Sequence, residues 1–318
     1  VDLISLGRKI PPRIRRVLRM ANLSYDTAMS IDIGRRERQE DALASDFPSG
    51  QAFGFVVLAD GMGGHAAGDM ASKIVVTEVF SELKLKSSDP EQLEHSIGDV
   101  LKGAAAHANQ CVGHYAHEHA QSHGMGSTLL APVLIEDRLY WVSVGDSPLY
   151  LFRDGRLTRL NENHALCSQI EYLVASGIMD REEAQNYPDQ SCLTSVLIGG
   201  EIAQVDCPSS PMQLKEGDIL IAASDGIQFI SEAQIEGVLR FQQKSTAEQI
   251  SAALTKEIQK LDDPDQDNLS ICVIKLLPEG GVITPPSETH TLNRIGDGKT
   301  ETITILARVT RRKKTAVQ

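Results

Sequence analysis

Two β-hairpins in immediate succession constrain this chain more than any other feature of its sequence. STLLAPVLI (127–135), the pair Glu136-Asp137 and RLYWVSV (138–144) read as strand, turn and strand. PLYLFR (148–153), Asp154-Gly155 and RLTRL (156–160) repeat the signal, with Asp-Gly suited to the positive φ of a tight turn. Two helical stretches precede the hairpins. Ala67, Ala71, Ile74, Val75 and Val79 share one face of a helix over 66–84, and a second stretch runs from about Pro90 to His119. Long helices followed by consecutive hairpins argue against regular βαβ alternation and for antiparallel sheets covered by helices. Residues 52–59, 219–223 and 269–276 read as further buried strands, and 168–187 as helix.

Composition sets the outer limits. The chain has 318 residues, 41% of them hydrophobic, which is enough to bury a sizeable core. No apolar run approaches the ~20 residues of a membrane-crossing helix. The first residues lack the order of a secretory signal. A cytoplasmic location and a monomer are expected. The net charge of −12 is unevenly spread: residues 1–20 carry +5 and residues 311–318 carry +4, leaving −21 between them. So acidic a body repels nucleic acid. Five cysteines (111, 167, 192, 207, 272) form no CxxC pair, so neither a disulfide framework nor a thiolate zinc site is expected; most read as small core residues.

The chemistry lies in acidic residues next to apolar runs. Asp60 (LADGMGG), Asp146 (SVGDS) and Asp225 (ASDG) each follow such a run, and Asp267 (DQDNLS) precedes one. A lone Asp-Gly after a strand is normally a turn. Four such carboxylates, with Glu40-Asp41 upstream, form a pattern. If their strands are neighbours, the carboxylates meet at one rim, where they repel and their pKa values rise unless a cation neutralises them. Oxygen-only ligation suits Mg²⁺ or Mn²⁺.

IGRRERQEDAL (33–43), VVLADGMGGHAAGDMAS (56–72), GMGSTLL (124–130), WVSVGDSPLY (141–150), LIAASDGI (220–227) and DNLSICVI (267–274) resemble, in order, the motifs of the PPM family, the metal-dependent protein Ser/Thr phosphatases, in its bacterial form. The resemblance covers 25–277. It implies an α+β fold, a four-layer α-β-β-α sandwich of two antiparallel sheets flanked by helices. A basic extension (1–24), a flap at about 165–200, and a linker with a basic tail (278–318) complete the expected organisation.

The resemblance also implies roles. Asp60 would bridge two divalent ions, Mn²⁺ or Mg²⁺, and Gly61 would offer its carbonyl to one of them, a place for a residue without a side chain. Asp225 and Asp267 would complete the other ion's shell. Glu40 would hold a metal-bound water, supported by Asp41, and Asp146 would join Asp225 at a third, weaker metal. Arg36 would bind the substrate phosphate, with Arg35 as its competitor. The implied reaction is hydrolysis of phosphoserine or phosphothreonine on proteins by a water or hydroxide bridging the two metals. The phosphorylated protein substrate would be one made by a cognate Ser/Thr kinase. The rival reading is a weakly active, phosphatase-like regulator that binds phosphoproteins; a narrower one is a phosphatase dedicated to a single bacterial regulator.

Departures from the family pattern are Gln39 for Asn, Pro148 for Arg and Asn163 for the Asp before His164; Met62 stands where some relatives carry His. His65 reads as the start or cap of the first long helix. His107, Cys111 and His114 are spaced to share a helix face, either as zinc ligands or as partly exposed side chains of a helix packed over a sheet.

Overall fold

A computed structural model describes residues 23–48, 51–63, 66–185, 187 and 192–278. Two antiparallel sheets form its centre. The first has the order β1 (Leu23–Asp32), β11 (Leu269–Pro278), β10 (Ile219–Ala223), β7 (Leu149–Arg153), β8 (Arg156–Arg159). The second runs β2 (Asp41–Asp46), β3 (Phe53–Met62), β5 (Leu129–Ile135), β6 (Arg138–Val144), β9 (Met212–Gln213), with β4 (Gly126–Ser127) pairing the end of β3.

The two-residue period of each strand divides its side chains between two cores. Along β3, Val56 and Leu58 face the space between the sheets, where they join Leu130, Leu134, Leu149, Leu220 and Ile274. The alternate residues Phe55, Val57 and Ala59 pack on α1 (Ala66–Lys86) and α3 (Ile97–Glu118) through Ala71, Val75, Leu101 and Ala108. Along β10, Ile219 and Ile221 meet α6 (Glu232–Phe241) and α7 (Ala247–Gln259) through Ile235, Leu239, Ile250 and Leu254. The result is the expected α-β-β-α sandwich. Each fully buried aliphatic or Phe side chain contributes ~1.5–3 kcal/mol to it.

Both hairpins form where expected. Glu136 takes φ 56° in the first, and Asp154 and Gly155 take φ 53° and 78° in the second. Two helical expectations break. The stretch 90–119 is interrupted at Ser96 (φ −125°), separating α2 (Pro90–His95) from α3. Glu94 of α2 is held by the Arg138 guanidinium and the Tyr140 hydroxyl of β6, which anchors the short helix to the sheet edge. The stretch 168–187 divides into α4 (Leu166–Ala175) and α5 (Arg181–Gln185). Gly177 (φ 72°) ends α4 in a Schellman motif, with Gly177 N–H donating to Val174 O and Ile178 N–H to Leu173 O.

Only Cys272 of the five cysteines is buried; Cys192 is exposed and the other three are half-buried, because they lie on helix flanks and loops rather than strands. Among the described residues no helix is long and apolar enough to cross a membrane. Residues 1–22 and 279–318, which hold the basic extension and nearly all of the linker and tail, lie outside the described residues. So does His65.

Candidate metal centre

One loop organises the site. Residues 33–40 join β1 to β2 and fold back over residues 266–268. Gly34 takes φ 61°, and a Cβ there would collide with the Asp267 carbonyl. Arg35 N–H donates to Gln266 O at 2.9 Å. The buried Asn268 fastens the loop from beneath. Its Oδ1 accepts Glu40 N–H at 2.7 Å, and its Nδ2 donates to Ile33 O at 2.8 Å and Arg38 O at 2.9 Å. Glu40 and Asp267, 227 positions apart in the chain, are held side by side through this one amide.

Asp60 does not sit at the strand's last residue, as its Asp-Gly suggested. β3 continues through Gly61 and Met62 because these pair with Ser127 and Gly126 of β4. Asp60 N–H donates to Thr128 Oγ1 at 2.9 Å, and Thr128 N–H returns a bond to Asp60 O at 2.8 Å. The Thr128 hydroxyl lies 3.1 Å from that of Ser147, beside Asp146. Asp41 faces Asp60 across the β2–β3 register. The buried Asp41 carboxylate accepts the Ser224 hydroxyl at 2.8 Å, and Ser224 Oγ accepts Ser270 N–H at 2.9 Å. Asp225 follows Ser224, and the turn beginning there rests on the Asn268 backbone, where a Cβ at Gly226 would collide.

Gly61 has a packing reason of its own. The first turn of α1 lies directly on it: a Cβ at Gly61 would collide with Gly68 O. One at Gly68 would lie 2.8 Å from Gly61 O and 2.9 Å from the Glu40 carboxyl carbon. The missing side chains let helix, strand and Glu40 close on one another.

The electrostatics report the convergence. Burial first, then the charges of Asp41, Asp225, Asp146 and Asp267, push the Asp60 carboxyl well above the usual range. Burial, then Asp146, Asp267 and Asp41, pushes Asp225 up to about 7. Asp41 is raised to about 6, chiefly by burial and against the pull of the Ser224 bond. Asp146 and Glu40 are raised as well, again chiefly by burial. Asp41 Oδ1 and Asp225 Oδ1 are buried without a hydrogen-bond partner. A ring of carboxylates with orphaned oxygens needs protons or cations, and its all-oxygen chemistry fits hard divalent ions.

The two arginines separate. Arg36 Nη2 lies 2.6 Å from Asp267 Oδ2, at the rim. Arg35 turns to Asp262, away from it. Thus Arg36, Glu40, Asp41, Asp60, Gly61, Asp146, Asp225 and Asp267 come together, and Arg35 does not. The sequence reading missed Asn268, Thr128, Ser224 and Gly68 as positioning residues. Their signal was present: each is a polar or side-chain-free position inside a quoted motif.

Two of the departures, Pro148 and Asn163, lie near Asp146 in the chain or through His164. His164 is buried; its ring Nδ1 accepts Gly145 N–H at 3.1 Å while its backbone N–H donates to Gly145 O at 3.1 Å. It thereby clamps the Gly145-Asp146 loop. Asn163 Oδ1 is buried and unpartnered. The segment 165–200 is tied down at its far end: Leu197 exchanges main-chain bonds with Ser127, and Asn109 of α3 grips Gly199 N–H and Gly200 O.

Comparison with known proteins agrees with this arrangement. The protein phosphatase 2C family matches residues 32–263. A protein phosphatase 2C-type relative from Streptococcus pyogenes is 30% identical over 217 residues, covering 67% of this chain and 83% of its own. The Mycobacterium tuberculosis serine/threonine phosphatase PstP/Ppp superposes with a TM-score of 0.66 at 27% identity, covering 80% of this chain and 99% of that one. The catalytic domain of PstP in complex with two manganese ions gives a TM-score of 0.64 at 26% identity, with 80% and 99% covered. The chain belongs to the protein phosphatase 2C (PPM) family, in its bacterial serine/threonine phosphatase branch.

Proposed function

We propose that this phosphatase hydrolyses phosphoserine and phosphothreonine on proteins at the acidic rim built around Asp60. The observation that carries the reading is the meeting of Asp41, Asp60, Asp146, Asp225 and Asp267, from five separate stretches of chain, with Arg36 beside them.

In this proposal Asp60 would serve both of two divalent ions, Mn²⁺ or Mg²⁺, Gly61 O would serve one of them, and Asp225 and Asp267 would serve the other. Glu40 acts through water, Asp41 supports it, and Asp146 serves a third, weaker ion. When bound, the ions supply Lewis acidity toward the phosphoryl oxygens and make water a nucleophile near neutral pH. The chain's own residues prepare the site for this. The Thr128 bonds hold the Asp60 backbone, and Asn268 holds Glu40, so neither has to reorganise as charge develops. Arg36 exchanges its Asp267 partner for phosphate oxygens, presenting a fork matched to them. The segment 165–200, where Tyr172 and Ile178 stand out to solvent, is where a protein substrate meets the rim.

The test is phosphate release from a phosphothreonine peptide with Mn²⁺, with Mg²⁺ and with chelator. Turnover with a metal and none with chelator is expected, and Asp60→Asn is expected to abolish it. A chain that binds the phosphopeptide but never releases phosphate under any of these conditions would instead be a docking regulator.

A further inference from the structure

Away from the acidic rim, the outer helices bring a different set of ligands together. Glu78 on α1 and His107 and Cys111 on α3 each place one ligand atom within 4.8 Å of the other two. His107 Nε2 lies 3.8 Å from Cys111 Sγ, and its Nδ1 lies 3.6 Å from Glu78 Oε2. The edges of a tetrahedron built on zinc bonds are about 3.3–3.7 Å. Those two distances use different ring nitrogens; with one nitrogen taken as the ligand the three atoms lie within 4.8 Å of one another, and a turn of the exposed imidazole with small rotations of Glu78 and Cys111 closes the remainder. His107 and Cys111 are one helical turn apart on one face, so the same groove presents both.

The surroundings suit an ion as well. The three residues line an open cavity of about 400 Å³ between the helices, together with His114 and Glu118, so the site is reached directly from solvent. Two other histidines of the region are engaged elsewhere. His119 stacks on Tyr115 and meets its carbonyl through Nδ1, and His95 Nδ1 meets Glu91 O. His107 faces a thiol and a carboxylate instead.

We propose that Glu78, His107 and Cys111 form a second metal site, for Zn²⁺, with the fourth position open to solvent. Thiolate and imidazole donors select a borderline-soft ion, whereas the rim's oxygens select hard ones, so the two sites sort metals by chemistry. Burial and the Glu78 charge raise the Cys111 thiol above its ordinary value, so it keeps its proton until a cation replaces it. Binding forms a Zn–S bond and releases that proton to solvent. The ion would cross-link α1 to α3, and α1 is the helix whose first turn rests on Gly61.

Cobalt reports the site without relying on activity. The full chain is titrated with Co²⁺ in excess Mg²⁺, which occupies oxygen-only positions. A thiolate-to-cobalt charge-transfer band is expected in the near ultraviolet, and Zn²⁺ should erase it. Cys111→Ser and His107→Ala should each lose the band with circular dichroism unchanged. Cys192→Ser and Asp225→Asn should keep it. A wild-type chain without the band, a band surviving in Cys111→Ser or His107→Ala, or a band lost with Asp225→Asn would each overturn the proposal.

Discussion

Asp41 and Asp60 stand directly opposite one another across the β2–β3 pair. Opposed residues of antiparallel strands project to the same face, and like charges there are destabilising. The fold tolerates the pair because Asp41 is bonded to Ser224, whereas Asp60 opens toward Asp225 and Asp146. The strain is concentrated where a cation can relieve it.

Stability should therefore depend on pH most clearly when metal is withheld. Asp225 and Asp41 have folded-state values of about 7 and about 6, against 3.8 for the free side chain. The folded state thus binds more protons than the unfolded state between those limits, and stability falls as pH rises through them. Melting temperatures of the chelated protein should fall from about pH 5 to pH 7. Added Mn²⁺ should raise the melting temperature most at the alkaline end.

Arg36 and Arg35 make a matched pair. Replacing Arg36 by Ala removes a charge-assisted contact at the rim, for which ~1.5–3 kcal/mol, or about 10–100-fold in kcat/KM, is expected. Arg35→Ala touches only the exposed Asp262 pair and should stay within a few-fold. Steady-state kinetics on one phosphopeptide decide between them; equal losses would remove the distinction.

Asn268→Asp keeps the shape and loses two donors. The bonds to Ile33 O and Arg38 O cannot form, and ~1–3 kcal/mol of stability should go with them. Because the loop carrying Arg36 and Glu40 is then released, more Mn²⁺ should be needed for half-maximal turnover. A metal-activation curve and a denaturant melt separate the two effects.

Two glycine substitutions should act in opposite directions. Gly68→Ala forces a methyl against Gly61 O and Glu40, costing ~1–3 kcal/mol and lowering activity. Gly103→Ala, on an open face of α3, should stabilise by about 0.5–1 kcal/mol and leave activity alone. Paired denaturant titrations measure both.

Much of this was readable along the chain. The hairpins form because Glu136-Asp137 and Asp154-Gly155 supply their turns locally, and α1 shows its apolar face at helical spacing. The acidic residues announced themselves by standing beside apolar runs. What escaped reading was local breakage decided from outside: α2 separates from α3 while Glu94 is held by Arg138 of a distant strand. The segment after Leu166 splits at Gly177, whose left-handed turn the helical periodicity masked.

The sequence alone determined which side chains alternate between cores, which turns close and which carboxylates are available, because these depend on periods of two to four residues. Only the tertiary structure decided that Arg36 rather than Arg35 meets Asp267, and that Asn268 sets Glu40. It also decided that Gly61 answers to Gly68 as well as to its own carbonyl. Those relations depend on β1 pairing with β11 and on a helix end settling on a strand. The Arg36–Asp267 and Glu40–Asn268 contacts join residues more than two hundred positions apart, and such contacts carry no periodic trace in the chain.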